Sequence, residues 1–575
     1  MRKLKTSFQR LSEAVALPEA AEQSKAQRRG MLCVELLFAF YAANVFVMRA
    51  FLIAPEASLW FIFLCLPPVT AVIFYAMRLF MHRFGQGFGI APLQDQRGKL
   101  DLKLFAIASS IVFAMLLWAQ LANYPGGSYH DIYTQWSEAQ LGYYNDWHPT
   151  FNSLIFRLIT RVVNRYAFVV SVQILVFSLL CGYMAATLRA WGVRAFWVAM
   201  FILTILSARP TRIILLFAFK DTFLTCAILW IAVYIINILL TKGEWLKPWP
   251  NRIALAIALV FVSMVRHNGI FFSIPLVMML FALYGKKRGF QIACSSAMAL
   301  ITVFLIRVPL YRAIGVERAS QQAYVESVNL PSSILCSVYR TQPNALDPEA
   351  RALMRTMASE KQWEELFQFG NYGSIKLPLR TELPVSLVPP PQLLAMTWNA
   401  CKNAPAVSLR AALMQTRIVW DIHNWDMKSL FMSRDDMNDV DISYLSRISP
   451  ELSIGAEVEA ARNSAFLQAF VRPYQFLDVT LATYMPNRVL HSIGAFMLAL
   501  VLFAWFSLRR RLGWETLLLV FPVLAYNIGT MLMLCHEDYR YFHFNGVIML
   551  PFFLMLTARP PVAKEDKIRN AKKKR

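Results

Sequence analysis

Long apolar runs recur along the chain, separated by short polar connections. A helix rises about 1.5 Å per residue and a bilayer core is about 30 Å thick, so such runs read as membrane spans. They fall at 31–53, 59–81, 104–121, 167–188, 196–206, 222–240, 253–265, 270–284, 290–310, 490–508, 516–535 and 544–556. The pattern predicts an all-α polytopic membrane protein with about twelve transmembrane helices. One segment has a different period. Over 151–163, Leu154, Ile155, Leu158, Ile159 and Val162 fall near one helical face, with Arg157 and Arg161 on another. This predicts an amphipathic helix lying in the membrane interface. The polar stretch 311–488 is too long for a loop and holds segments rich in good helix formers, such as 348–369. It predicts a mostly helical domain outside the bilayer.

Charge orients these elements. The formal net charge is +23 with 57% hydrophobic residues, and the mean hydropathy is +0.44. In a soluble chain that charge would suggest nucleic acid. Here the basic residues cluster in short connections that all fall on one side, including Lys286–Arg288, Arg509–Arg511 and the tail ending Lys572–Arg575. Basic connections stay in the cytoplasm, so both termini are predicted inside and no nucleic-acid partner is implied. The predicted organisation is a cytoplasmic tail 1–30, a membrane domain 31–310, an outer domain 311–488, C-terminal membrane helices 489–557 and a basic tail 558–575. The first apolar run reads as a retained anchor, with no cleavable signal. Cys33, Cys65, Cys181, Cys226 and Cys294 fall within spans, as packing residues, and Cys535 ends one. Cys336 and Cys401 fall in the outer domain, where the compartment permits a disulfide.

Under this topology four polar groups meet on the outer face. The loop 122–150 carries Asp131, Gln135, Glu138, Asp146, Trp147 and His148, with many aromatic rings and no Lys or Arg. Arg209 to Asp221 ends in Lys220-Asp221, Arg266 to Gly269 includes Asn268, and His536 to Tyr541 ends in Arg540-Tyr541. Carboxylates can take a proton from an incoming hydroxyl, and cations can hold a departing phosphate. Structural readings stand beside these. Asp131 suits a helix N-cap, and Asp146 to Pro149 suits a turn that starts the next helix. Lys220 and Asp221 suit an interfacial ion pair, Arg266 suits a snorkelling arginine, and the aromatic residues suit an interfacial belt. The carboxylates of the 536–541 run suit a solvated helix end.

Several of these stretches resemble GT-C type membrane glycosyltransferases, the group of protein mannosyltransferases, aminoarabinose transferases and oligosaccharyltransferases. The residues are Tyr124, Pro125, Gly126, Asp131, Gln135 and Asp146–Pro149, then Arg266 and Gly269, then Arg540-Tyr541 followed by Pro551. The similarity covers about 104–310 and 490–556, and the chain departs from it in that the acidic pair of the opening loop is not adjacent. The resemblance implies a GT-C-like fold in a bacterial inner membrane with its site facing the exterior. It implies a polyprenyl-phosphate-linked sugar donor, a glycan, glycolipid or protein acceptor, and inversion at the anomeric carbon. Asp131 would be the catalytic base, and Arg266, Lys220 or Arg540 would bind the lipid phosphate. Gln135, Trp147, Asp221, Asn268 and Tyr541 would complete the substrate site. Asp146 and His148 would either position the acceptor or hold a divalent cation (Mg or Mn), so the cofactor is open. The alternative function is a transporter or flippase of lipid-linked saccharides, which calls for charges at mid-membrane and broken helices in matched halves.

Overall fold

The structure is a computed structural model that describes residues 25–84, 99–379, 381–423, 453–484, 492–510 and 513–555. The basic segments expected at 1–24 and 556–575, and the stretches 85–98 and 424–452, lie outside the described residues. Among the described residues there is no strand, only three isolated bridges. Seven helices are long and apolar enough to cross a membrane: Leu32–Ile53, Leu59–Phe80, Leu102–Ala122, Tyr166–Ala190, Lys220–Leu240, His267–Ala313 and Gly513–Met531. Ala195–Ser207, Trp249–Val265 and Ile493–Trp505 are apolar but shorter, and Phe544–Leu554 has 11 residues.

Two of the expected spans, 270–284 and 290–310, belong to that single long element. Its helix Ile270–Leu305 has 36 residues, which straight would extend over about 54 Å. It is not straight. Arg288 has non-helical backbone angles (φ −132°, ψ 15°), and Arg307 donates to His267 Nδ1 at 3.3 Å. Residues forty positions apart can touch only if the element doubles back at Arg288, so it forms a helical hairpin. At the bend Arg288 pairs with Glu244, in the turn expected on the inner side. On the opposite side Arg410 of the outer domain donates to three carbonyls, Phe51, Ala54 and Ala57, at 2.7–2.8 Å. Phe51 is in the last turn of the first long helix, and Ala54 and Ala57 lie in the turn that follows it.

The helix Lys220–Leu240 is the axis of the bundle: 89% of its apolar window is buried, against 6% for Leu59–Phe80. The first is enclosed by other helices. The second presents Trp60, Phe63, Leu64, Val72 and Leu79 outward, as a lipid-facing helix must. Small residues bring backbones together where lipid offers no hydrophobic advantage. Gly182 lies against the Ser109 side chain and the Phe105 carbonyl, so a Cβ there has no room. The interfacial helix runs Thr150–Thr160, and its apolar side is divided. Leu158 is exposed, Leu154, Ile155 and Ile159 pack partly on the core, and the polar Asn152 and Ser153 are buried. Asn152 donates to the Val265 carbonyl at 2.7 Å, which turns that polar face inward.

The expected outer domain 311–488 divides. Buried residues from Val328 to Ala411 form their own core, with Cys336 inside it and Cys401 beside it, and both thiols are free. Beyond it, Ile454, Val458 and Tyr474 join the core of the membrane bundle. The helix Ala465–Tyr484 packs on Leu102–Ala122, and Asp478 pairs with Arg209 (3.0 Å) and Arg212. Glu457 accepts from the Tyr166 and Ala167 amides at 2.6 and 3.0 Å, so it caps a helix 290 residues earlier in the chain. A replacement of Gly182 by Ala is expected to cost about 1–3 kcal/mol through overpacking. Thermal unfolding in detergent reads this. An unchanged midpoint would mean that the two helices do not approach this closely.

Candidate functional site

Two non-helical segments carry the site, and buried polar side chains hold both. Gln173 donates to the Leu215 and Phe217 carbonyls, each at 3.0 Å. Gln120 donates to Pro125 O at 3.2 Å and to Ala167 O at 2.7 Å. The Tyr166 hydroxyl donates to Gly127 O at 2.6 Å and accepts from the Ala218 amide at 3.3 Å, so one hydroxyl joins the segments. Gly127 also bridges Phe217. Gly126 has φ 128°, where a side chain would be strained, and the Leu216 carbonyl leaves no space for one. Backbone groups that no helix could satisfy are thus paired inside the protein, as their burial requires.

From this frame Asp131, in the first turn of the helix His130–Leu141, meets Lys220, the first residue of the buried axis helix. Lys220 Nζ donates to Asp131 Oδ2 at 2.6 Å, and Arg540 reaches the same oxygen at 3.3 Å. Lys220 also lies 3.0 Å from His148 Nδ1, and His148 Nε2 is 3.7 Å from Asp131 Oδ1. A second layer fixes the arginines. Arg266 pairs with Asp221, which is fully buried. Arg540 Nε donates to Asp538 Oδ2 at 2.6 Å and lies 3.8 Å from Asp221. Aromatic faces pack on the guanidiniums: Tyr541 under Arg266 at 4.1 Å, and Phe219, Tyr541 and Tyr129 around Arg540 at 4.7–5.4 Å. The exposed ring of Trp147 stacks on His148 at 4.9 Å.

The electrostatics follow from burial and pairing. Burial works against the Asp131 carboxylate, but Lys220 and Arg540 outweigh it and hold its pKa well below the usual range. Burial, with Lys220 alongside, pushes His148 down to about 3, so its imidazole is neutral. Its Nδ1 must then accept from the lysine ammonium, which leaves the ring proton on Nε2, toward Asp131.

The chain matches no known family, no curated protein and no solved structure. The geometry therefore carries the functional reading by itself. Asp131, His148, Lys220, Asp221, Arg266, Arg540 and Tyr541 come together. Four expected site residues do not join the ion cluster. Asp146 Oδ1 accepts from the Thr150 amide at 3.2 Å, so that carboxylate caps the following helix. Gln135 is fully buried, away from any open surface. Asn268 sits in the turn after Arg266 with no side-chain hydrogen bond among the described residues. Trp147 adjoins the cluster through its stack on His148. Asp146 and His148 do not fit a divalent-cation pair, since one caps a helix and the other faces an ammonium. Among the described residues no group of three or more His, Cys, Asp or Glu is placed to hold a metal.

Two structural expectations also change. Asp131 is not an N-cap: Tyr129 holds that position, without a side-chain cap. Lys220 and Asp221 do not pair with each other, since successive residues on a helix point about 100° apart. In the sequence Asp538 reads as part of a solvated run and Tyr129 as one of the loop's belt or sugar-stacking rings, while Phe219 was missed. Asp538 had one legible signal, its place two residues before Arg540, whose amide it also accepts at 3.0 Å.

Glu138 lies near this cluster on the same helix as Asp131. It accepts from Ser153 Oγ at 2.5 Å and from the Asn145 amide at 3.1 Å, and burial pushes it up to about 7. The folded state then binds more protons than the unfolded one between about 4.5, the ordinary glutamate value, and about 7. Its contribution is complete below about 4.5 and is lost as pH rises through about 7. Replacing Glu138 by Gln is expected to flatten this fall, making the variant the more stable protein at pH 8 by roughly 1–3 kcal/mol. Unfolding midpoints of both proteins between pH 4.5 and 8 check it; parallel curves would exclude a raised Glu138.

Proposed function

We propose that this protein is a membrane glycosyltransferase. It moves a sugar from a polyprenyl-phosphate-linked donor to a hydroxyl of a cell-envelope glycan, glycolipid or protein acceptor. The site faces the exterior of a bacterial inner membrane, and the reaction inverts the anomeric carbon. One observation carries the reading: Asp131, His148, Lys220 and Arg540, from three distant stretches, form a single buried ion cluster at the ends of apolar helices. Asp131 accepts the proton of the acceptor hydroxyl. Lys220 and Arg540 neutralise the phosphate as it departs, Arg540 with a planar fork that Asp538 Oδ2 holds through Nε. Tyr129 and Trp147, both exposed, offer flat faces for sugar rings.

Transport of a lipid-linked saccharide is the competing function. Its hallmark is charge at the middle of spans. Asp131 and Lys220 instead stand in the first turns of their helices. The experiment is sugar transfer from a panel of radiolabelled polyprenyl-phosphate sugars by purified wild type and Asp131→Asn. Wild type is expected to transfer, and the variant to lose about 10²–10⁴-fold in kcat with an unchanged unfolding midpoint. Equal rates would remove Asp131 from the chemistry. Absence of transfer from every donor, with saccharide flux intact in vesicles, would favour the transporter.

A further inference from the structure

We propose that the Asp131 carboxylate occupies the position of the donor phosphate, so that the donor frees its own general base by drawing Lys220 and Arg540 away from Asp131. The inference rests on the glycosyltransferase reading. It starts from a difficulty in that reading. A carboxylate held by an ammonium at 2.6 Å and a guanidinium at 3.3 Å, both on one oxygen, is a poor proton acceptor. His148 is no better, because it is neutral with its free lone pair already turned to Lys220. In the resting arrangement nothing in the cluster is ready to deprotonate a hydroxyl.

The contacts show which cations can change partner. Arg266 is committed to Asp221, inside the protein. Arg540 is fixed through Nε on Asp538 and by three aromatic rings, which leaves its NH1, on Asp131, as the end that can be shared. Lys220 keeps His148 as a second partner. Two donors converging on one carboxylate oxygen are the arrangement a phosphate oxygen would take, since both are charged acceptors of the same donors. Three cations, Lys220, Arg266 and Arg540, face three carboxylates, Asp131, Asp221 and Asp538. A phosphodiester therefore brings one negative charge in excess to Lys220 and Arg540, and the positive charge of His536, 3.9 Å from Asp538, lies on the Asp538 side of the cluster.

Transfer removes that excess from Asp131. The acceptor oxygen forms a bond to the anomeric carbon, and its proton goes to Asp131 Oδ2. The bond from the anomeric carbon to the phosphate oxygen breaks, and the polyprenyl phosphate leaves with the electron pair and one further negative charge. The charge lost by the carboxylate appears on the phosphate, beside Lys220 and Arg540. Atoms and charge balance with no added reactant.

The test is calorimetric binding of a methyl ester of a ten-carbon prenyl phosphate to the full-length protein in detergent. This diester has one charge and no sugar to transfer. Asp131→Asn is expected to bind it about ten-fold tighter than wild type, although the same variant loses transfer, and Lys220→Met about ten-fold weaker. In wild type at pH 5, paired titrations in buffers of different ionisation enthalpy should show proton uptake on binding, absent in Asp131→Asn. Equal or weaker binding by Asp131→Asn overturns the exchange and leaves the donor reading standing. Tighter binding without proton uptake in wild type also overturns it, because charge removal alone would explain the affinity. If Asp131→Asn does not fold, the wild-type uptake decides. Failure of wild type to bind withdraws the donor reading and the exchange with it.

Discussion

Charge cannot be buried singly, and that constraint organises the end of the bundle that carries Asp131 and Lys220. Removing a carboxylate or a guanidinium from water costs several kcal/mol unless a partner and further hydrogen bonds replace the water. Asp131, Asp221, Arg266, Lys220, Asp538 and Arg540 are all largely or fully buried, and each touches at least one of the others. Because the partners come from helix starts and turns far apart in the chain, the pairs also fix how those helices stand together. Asp131 cannot reach Lys220 unless the loop 122–150 lies against the segment that enters the axis helix.

The pinning residues follow from the same constraint applied to backbone. Two irregular segments run between apolar helices, and their amides and carbonyls have no helical partners. Gln120, Gln173 and Tyr166, side chains on otherwise apolar helices, supply them. A polar residue inside an apolar helix is costly when free, so its presence there signals a partner. The result is a stiff floor. Charges on such a floor keep their geometry.

The outer domain is tied to this end of the bundle at several points. Arg410 closes the turn between the first two long helices, and Arg417 holds Glu537 by two contacts at 3.1 Å, one residue before Asp538. The Cys535 carbonyl accepts from Gly373 at 2.7 Å. The turn that carries Arg540 is therefore braced from outside as well as from within, and the domain roof and the ion cluster are mechanically one structure.

The sequence by itself determined the helical, membrane-embedded character of the chain, because a bilayer admits only long apolar segments with internally satisfied backbone. It also marked the polar loop and the three later turns as chemistry-bearing, since carboxylates and cations between apolar helices need a reason. It left pairing undetermined. Asp131 also read as a cap, Lys220-Asp221 as a pair with each other, and Asp146 as either a residue that positions the acceptor or a cation ligand. Only the tertiary structure decided these, through contacts across 89 and 409 positions for Asp131 with Lys220 and Arg540. The doubled-back helix at Arg288 and the cap that Glu457 places on Tyr166 belong to the same class. Hydrophobic period is local and can be read along the chain, whereas the partner of a buried charge is chosen by packing between helices, which no local pattern encodes.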